Sequence, residues 1–289
     1  MLVNKTIFSD NQGNELRLSK VVQAEEQAYF RNFSVKYVVD GKENYTINKR
    51  KFTLHQGDFV IGNTHADGKV LIDGSAPAKG ICLDIAKECI ADVINYHFEE
   101  PNTFFEFLFD RDCVIQKYDR HNSQLGTALY NLSNDFEDLI NLNLNVTGEI
   151  FPSIAERVVF DQYSIFKNYR RLKVVRQETN CRLFNFINDA KNFIDDHYLE
   201  KLNIGKMASE AKLSEYHFIR LFKTVFHTTP YKYVIQKRLR FSIELMKNQY
   251  SVSDVSSILG FTDVPAFSNA FKQHFGCSPR NYQISNFLQ

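Results

Sequence analysis

The chain has 289 residues, 44% of them hydrophobic, and 35 Lys/Arg against 34 Asp/Glu leave a net charge of +1. That length builds two or three domains with a full core, and no stretch approaches the length of an apolar membrane span. The five cysteines, Cys82, Cys89, Cys113, Cys181 and Cys277, are scattered without a CxxC, which leaves no place for a disulfide frame or a zinc site. Reduced thiols in a cytoplasmic protein are the expectation. The charge is unevenly spread. From Lys201 onward twelve Lys/Arg face five Asp/Glu, about +7, so the remainder carries about −6. A basic C-terminal part attached to an acidic N-terminal part suits a nucleic-acid module joined to something else.

In chain order, residues 1–118 read as β-rich. Residues 33–39 alternate and end at Asp40-Gly41, a hairpin-turn signal. Residues 43–48 and 51–55 pair around Lys49-Arg50, and 58–62, 70–73 and 80–85 are further short strands between Gly-rich turns. Many short strands at this spacing imply a barrel or a jelly roll. Tyr37, Tyr45, Phe59 and Ile61 either line a pocket or fill the core, because periodicity does not say which face looks inward. His55, His65, His97 and His121 are isolated and form no HxH pair, so neither a metal nor another cofactor is expected.

Residues 123–140 and 149–176 read as helices, the first with Leu125, Leu129, Leu132, Phe136, Leu139 and Ile140 at helical spacing. They either pair with a second copy of the chain or pack on the barrel of their own. The basic run over 170–176 reads as a solvated helix face. Residues 182–197 read as the first helix of a C-terminal domain, with Phe186, Ala190, Phe193 and Ile194 inward.

Residues 207–282 contain one pattern written twice. Phe218, Phe222, Lys223, Phe226, Pro230 and Tyr233 recur 49 positions later as Phe267, Phe271, Lys272, Phe275, Pro279 and Tyr282. Aromatics at i, i+4 and i+8 make one apolar stripe on a helix. Each stripe ends near a small residue followed by proline, Thr229-Pro230 or Ser278-Pro279. A short helix and a tight turn precede each stripe. Lys212-Leu213 makes the first turn and Ser214 suits the N-cap that follows. Gly260 supplies the second turn, where a positive φ meets no Cβ, after a helix capped by Ser251 or Ser253. Phe261 matches Leu213, and Thr262 or Asp263 caps the last stripe. The offset is 48 before the turn and 49 after it, so the second turn carries one extra residue. Residues 231–247 read as a continuous helix joining two helix-turn-helix units.

The stretches ASEAKLSEYHFIRLFKTVF (208–226), TPYKY (229–233) and VSSILGFTDVPAFSNAFKQHFGCSPRNY (255–282) closely resemble the DNA-binding domain of the AraC/XylS family of bacterial transcription regulators. FTLHQGDFVIGNTH (52–65) looks like the strand-GD-strand segment of the cupin-like sensor domains that precede many such domains. The fold class implied is α+β: a cupin-like β-barrel over 1–118, a helical linker or dimerisation region over 119–181 and an all-α DNA-binding domain with two helix-turn-helix units over 182–289. The resemblance implies a sequence-specific regulator, not an enzyme, controlled through its N-terminal domain by a small-molecule effector or by dimerisation. Double-stranded promoter or operator DNA is the expected partner, with RNA polymerase and a second copy of the chain as further ones, and no membrane. One alternative is a ligand-independent regulator. Another is a cupin-type enzyme fused to a DNA-binding module, against which the missing metal-ligand cluster counts.

By resemblance, Tyr216, Ile219 and Arg220 hold base-facing positions on the first reading helix. Arg220 has the fork for guanine O6 and N7, and Ile219 suits a thymine methyl. Lys223 is expected on phosphate, which positions without reading sequence, and His217 is expected to be structural. The corresponding positions on the second helix are Val264, Pro265, Ser268 and Asn269. Asn269 suits adenine, but Val264-Pro265 departs from the longer polar or basic residues usual in the family. The second unit is therefore expected to hold phosphate through Lys272 and the amides that open its helix.

Overall fold

The structure is a computed structural model, and it describes residues 3–109, 114–120, 123–141, 146–172 and 177–287. Two compact units divide the chain, Met1–Arg170 and Arg171–Gln289.

The first unit is built on β1 (Val3–Ser9), β2 (Glu15–Ala28), β3 (Phe33–Asp40), β4 (Lys42–Ile47), β5 (Arg50–His55), β6 (Asp58–Gly62), β7 (Gly68–Ile85) and β8 (Gln116–Asp119). All pairings are antiparallel, in the order β1-β2-β7-β3-β6-β8 with β4 between β7 and β5, and the sheet curls into a nearly closed barrel. Strand β7 is its spine. One edge of β7 pairs β2 along nearly its whole length, while the other takes β3 at Lys79–Ile85 and β4 at Gly68–Leu71.

This arrangement corrects the hairpin expected at Asp40-Gly41. Strands β3 and β4 are consecutive but do not pair with each other; both lie along one edge of β7. Gly41 turns that corner at φ +80°, where a Cβ would meet the Pro77 carbonyl oxygen at 2.5 Å. The two short strands expected at 70–73 and 80–85 are the two ends of β7, interrupted opposite Val21–Gln23 by a bulge in the pairing. The β4–β5 hairpin exists, but its turn is Asn48-Lys49, one position earlier than expected. Both residues have positive φ, 48° and 66°, as a two-residue type I′ turn requires. Asn48 holds the turn by donating to the His65 carbonyl at 3.0 Å and accepting from the Asp67 amide at 3.0 Å.

The register settles which face is apolar. Phe33, Val35 and Tyr37 on β3 align with Ile85, Leu83 and Ile81 on β7, and Leu16 and Leu18 on β2 extend the same rows. Tyr37, Tyr45, Phe59 and Ile61 are all buried. The opposite face carries the pairs Lys36–Cys82 and Ser34–Asp84. There Arg17 reaches Asp84 at 2.8 Å, Ser34 donates to Asp84, and the Tyr45 hydroxyl donates to the buried Glu43 carboxyl at 2.7 Å.

Residues 87–109, expected within a β-rich stretch, form two helices, α1 (Lys87–His97) and α2 (Pro101–Phe109). The helical signal is there: Ile90 and Ile94 are buried one turn apart, as are Phe104, Phe107 and Leu108. The helix expected over 123–140 is two, α3 (Gln124–Asn134) and α4 (Phe136–Asn141), broken at Asp135. Asn134-Asp135 is a pair whose side chains compete with the backbone for hydrogen bonds and so favour a break. Helix α5 (Ile150–Arg170) ends six residues before the expected 176. It packs on α1, α2 and α3 within this unit. Asp161 on α5 fixes the start of α3: it accepts from the Gln124 and Leu125 amides and from the Ser123 hydroxyl at 2.6 Å. Phe104, Phe107, Tyr163, Phe166 and Tyr169 cluster at the α2–α5 contact, with Phe104 and Phe166 stacked 5.0 Å apart and the other pairs tilted or edge-on. Arg170 pairs with Glu100 at the surface, while Arg176, like Cys113 and His121, lies outside the described residues.

Among the described residues no three His, Cys, Asp or Glu side chains are grouped as a metal site, and no helix is long and apolar enough to cross a membrane. Cys82, Cys89 and Cys277 are free thiols.

Burial pushes the Glu43 carboxyl above the usual carboxylate range, against the pull of the Tyr45 hydroxyl and the Lys36 charge. The folded chain therefore holds this proton to higher pH than the unfolded chain does. The stability it contributes is fully present below the unfolded value of about 4.3 and is lost as pH rises through the folded value. Glu43→Gln removes this titration while keeping an oxygen for Tyr45. Melting temperatures of both proteins from pH 4 to 8 should diverge in favour of the glutamine as pH rises. A difference independent of pH would show that Glu43 titrates alike in the folded and unfolded chains.

Candidate nucleic-acid interface

The second unit is all helical: α6 (Gln177–His197), α7 (Ile204–Glu210), α8 (Glu215–Phe226), α9 (Pro230–Lys247), α10 (Val252–Ile258), α11 (Val264–Phe275) and α12 (Pro279–Phe287). Helix α6 begins five residues before the expected 182. Its buried side includes Phe184 and Ile187 beside Ala190 and Ile194, whereas Phe186 and Phe193 are half-buried.

The sequence duplication is a duplication of backbone. Asn203 caps α7 by accepting from Lys206 N, and Ser251 caps α10 by accepting from Asp254 N. Lys212 and Gly260 then take positive φ, 52° and 66°. The next amides, Leu213 and Phe261, each donate to the carbonyl five residues back, Ala208 and Ser256, both at 3.1 Å. Helices α8 and α11 follow, and each ends on a left-handed residue, His227 or Gly276, whose amide donates to the carbonyl of Lys223 or Lys272 at 2.9 Å. Thr229 and Ser278 cap the helices beyond. Thr262 is the extra residue of the second turn.

The caps differ where the units face outward. Ser214 sits at the N-cap of α8 without a side-chain hydrogen bond. Asp263 caps α11 and accepts from the Ala266 amide at 2.6 Å. Pro265 has no amide to give. The opening of α11 therefore carries a carboxylate and fewer free amides than that of α8.

The aromatic stripes pack alike. Ring centroids lie 5.5 Å apart for Phe218–Phe222, 4.7 Å for Phe222–Phe226 and 5.7 Å for Phe222–Tyr233. Their counterparts Phe267–Phe271, Phe271–Phe275 and Phe271–Tyr282 lie at 5.7, 4.5 and 5.6 Å. Phe218, Phe222, Phe267 and Phe271 are fully buried. Helix α9 is shared: Val234 is buried in its first half, while Leu239, Leu245 and Met246 join Val255, Leu259, Phe267 and Phe271 in one cluster. Behind the first unit, the Asp195 carboxylate takes Lys191 at 2.6 Å, Lys237 at 3.0 Å and the Tyr233 hydroxyl at 2.9 Å. The two lysines offset burial and hold Asp195 below the usual carboxylate range.

With each stripe turned inward, the opposite face is set. Tyr216, Ile219, Arg220 and Lys223 are exposed on α8, Tyr216 at 73%. Val264, Pro265, Asn269 and Lys272 are exposed at the matching positions of α11, and Ser268 is half-buried. Arg220, Lys223 and Lys272 make no ion pair among the described residues, so their charges remain available. His217, expected to be structural, is exposed. Two arginines escaped the sequence reading. Arg280 is exposed at the opening of α12, and the available signal was a basic residue directly after Ser278-Pro279. Arg238 is buried on α9, and its sequence offered no such signal.

Two helix-turn-helix units of like backbone, each with an unpaired lysine on its outer helix, define a DNA-binding protein. A helix-turn-helix domain family matches residues 207–284. The regulatory protein SoxS of Escherichia coli strain K12 is 32% identical over 98 residues, which span 34% of this chain and 92% of SoxS. The Msm operon regulatory protein of Streptococcus mutans serotype c is 22% identical over 253 residues, 87% of this chain and 84% of that protein. Among solved structures, ToxT from Vibrio cholerae aligns over 94% of this chain and 98% of its own at 11% identity and a TM-score of 0.37. The chain belongs to the AraC/XylS family and is a DNA-binding transcription regulator.

A fragment spanning Arg171–Gln289 should be helical by circular dichroism and melt cooperatively. A fragment starting at Arg182 should melt at lower temperature, because it removes the first turn of α6 and the buried Asn180 and Cys181. Equal melting of the two would show that α6 needs only its part from Arg182 onward.

Proposed function

We propose that α8 and α11 enter successive major-groove segments about one helical turn apart, and that α8 carries most of the sequence reading. The observation that carries this is the outward set on α8: a free guanidinium at Arg220 beside Ile219 and Tyr216, with Lys223 one turn on. Arg220 donates in a fork to guanine, Ile219 and Tyr216 meet base edges and methyl groups, and Lys223 holds phosphate. On α11, Asn269 is the base-reading group, with Val264, Pro265 and Ser268 supplying shape. Lys272 holds phosphate.

The N-terminal unit is the control element, a cupin-like sensor answering to a small-molecule effector or to dimerisation of the chain, with α3 to α5 as the helical region that serves this. A groove of about 420 Å3 between α3 and α5, lined by Leu129, Leu132, Ile154 and Arg157 among others, supports an effector reading, since small-molecule sites run from about 300 to 1,000 Å3. The protein acts in the cytoplasm, without enzymatic chemistry, and RNA polymerase is the partner through which it changes transcription. A thermal-shift screen of metabolites tests the sensor reading, because a ligand of the folded state raises its apparent stability by mass action.

Arg220→Ala should weaken binding to a target duplex by roughly 1–3 kcal/mol and binding to scrambled duplex far less. Lys272→Ala should weaken both alike and lower the salt slope by about 1. Paired titrations at several salt concentrations check both. Equal losses on target and scrambled DNA for Arg220→Ala would reduce that residue to a phosphate contact.

A further inference from the structure

Arg238 sits in the middle of the shared helix α9, 9% exposed, and makes no ion pair among the described residues. Its guanidinium donates to three backbone carbonyls instead. Nε reaches the Tyr198 oxygen at 2.7 Å and Nη2 the Glu200 oxygen at 2.8 Å. Nη1 reaches the Gly260 oxygen at 3.4 Å. Tyr198 and Glu200 lie on the segment that leads from α6 into the first helix-turn-helix unit. Gly260 is the turn of the second, at the end of α10. One planar fork on the connector therefore binds the approach to one unit and the turn of the other. A buried charge held only by carbonyl dipoles is a costly arrangement compared with an apolar contact. Its geometric use lies in direction: a guanidinium offers five donors in a fixed plane, which a lysine ammonium does not reproduce.

The core of the contact between α9 and the second helix-turn-helix unit is apolar, while Arg240 on α9 acts on His274 of α11 at its edge. Leu239, Leu245 and Met246 pack on Val255, Leu259, Phe267 and Phe271. Such packing is non-directional in its attraction, so a hydrogen-bonded fork adds an orientation that it does not itself specify. The Gly260 carbonyl, at 3.4 Å, is the point at which the Arg238 fork reaches the second helix-turn-helix unit. Phe241 against Tyr198, 5.9 Å apart, and Lys237 over the Tyr198 ring keep the Tyr198 end in place.

We propose that Arg238 is a positioning residue that sets the spacing and phase of the two DNA segments, acting through Tyr198, Glu200 and Gly260 and touching no DNA itself. This rests on the reading that α8 and α11 both dock. Loosening the fork lets the second unit adjust, so a change of spacing is penalised less.

The test uses the full chain and a duplex selected by the wild-type protein from random sequence, with and without one base pair inserted between its two protected segments. The wild type should lose roughly tenfold or more in affinity on the insertion, as expected when one unit's readout is taken out of phase. Arg238→Lys and Arg238→Gln should lose clearly less, while Lys247→Gln, an exposed residue at the end of the same helix whose ion pair stays on that helix, should behave as wild type. Circular dichroism melts accompany each variant. If Arg238→Gln does not fold, Arg238→Lys decides. Folded Arg238→Lys with the wild-type insertion penalty overturns the proposal, and so does failure of Arg238→Lys to fold, which would make the residue one of stability alone. A wild-type footprint with a single protected segment instead removes the two-segment reading, and the proposal with it.

Discussion

The spacing of three aromatic residues along a helix is the constraint on which the second unit depends. Phe218, Phe222 and Phe226, and their counterparts Phe267, Phe271 and Phe275, leave each helix one way to bury its apolar side. Fully burying a side chain of this kind is worth about 1.5–3 kcal/mol, more than any surface contact on the opposite face offers. Rotating α8 or α11 to bury another side would expose those rings. The outer faces, with Arg220, Lys223, Asn269 and Lys272, are thus defined by exclusion: they are what remains once the stripe is inside.

The two units are built alike and charged differently. Asn203 and Ser251, Lys212 and Gly260, His227 and Gly276, Thr229 and Ser278 perform the same backbone tasks in pairs. A left-handed residue at the turn is required in both, and Lys212 accepts a strained φ that Gly260 adopts freely. The divergence comes at the start of the outer helices. Ser214 leaves the amides of α8 open, whereas Asp263 and Pro265 occupy or remove those of α11. The same frame thereby presents one outer face with a guanidinium, a lysine and open amides and one with a lysine and a capped helix end.

In the first unit the organising element is β7, 18 residues long, against which β2, β3 and β4 are all laid. Its face aligned with Phe33, Val35 and Tyr37 is apolar, and the other carries Lys36, Glu43, Cys82 and Asp84. Buried polar groups on that second face are tolerated because they bond to one another, as Arg17, Ser34 and Asp84 do, or because they give up charge, the direction in which burial drives Glu43.

By itself, the sequence determined what local physics dictates. The repeated stripes, the caps and turns, the strands read at 33–39, 51–55 and 58–62 and the outward residues of α8 follow from periodicity and from residues with one conformational use. They were legible because the interactions that set them span a few residues. Pairing across distance was not. Nothing near Asp40-Gly41 says that the two strands it joins lie end to end along a third, since that depends on the Pro77 backbone closing in 36 residues later. The helices at 87–109 do carry a local signal, in the spacing of Ile90 and Ile94 and of Phe104, Phe107 and Leu108, and so does the break at Asn134-Asp135. Arg238 shows the limit most clearly. An arginine among the basic residues of a connector helix reads as surface charge, and only the tertiary structure decided otherwise, because the three carbonyls that hold it come from segments 22 to 40 residues away.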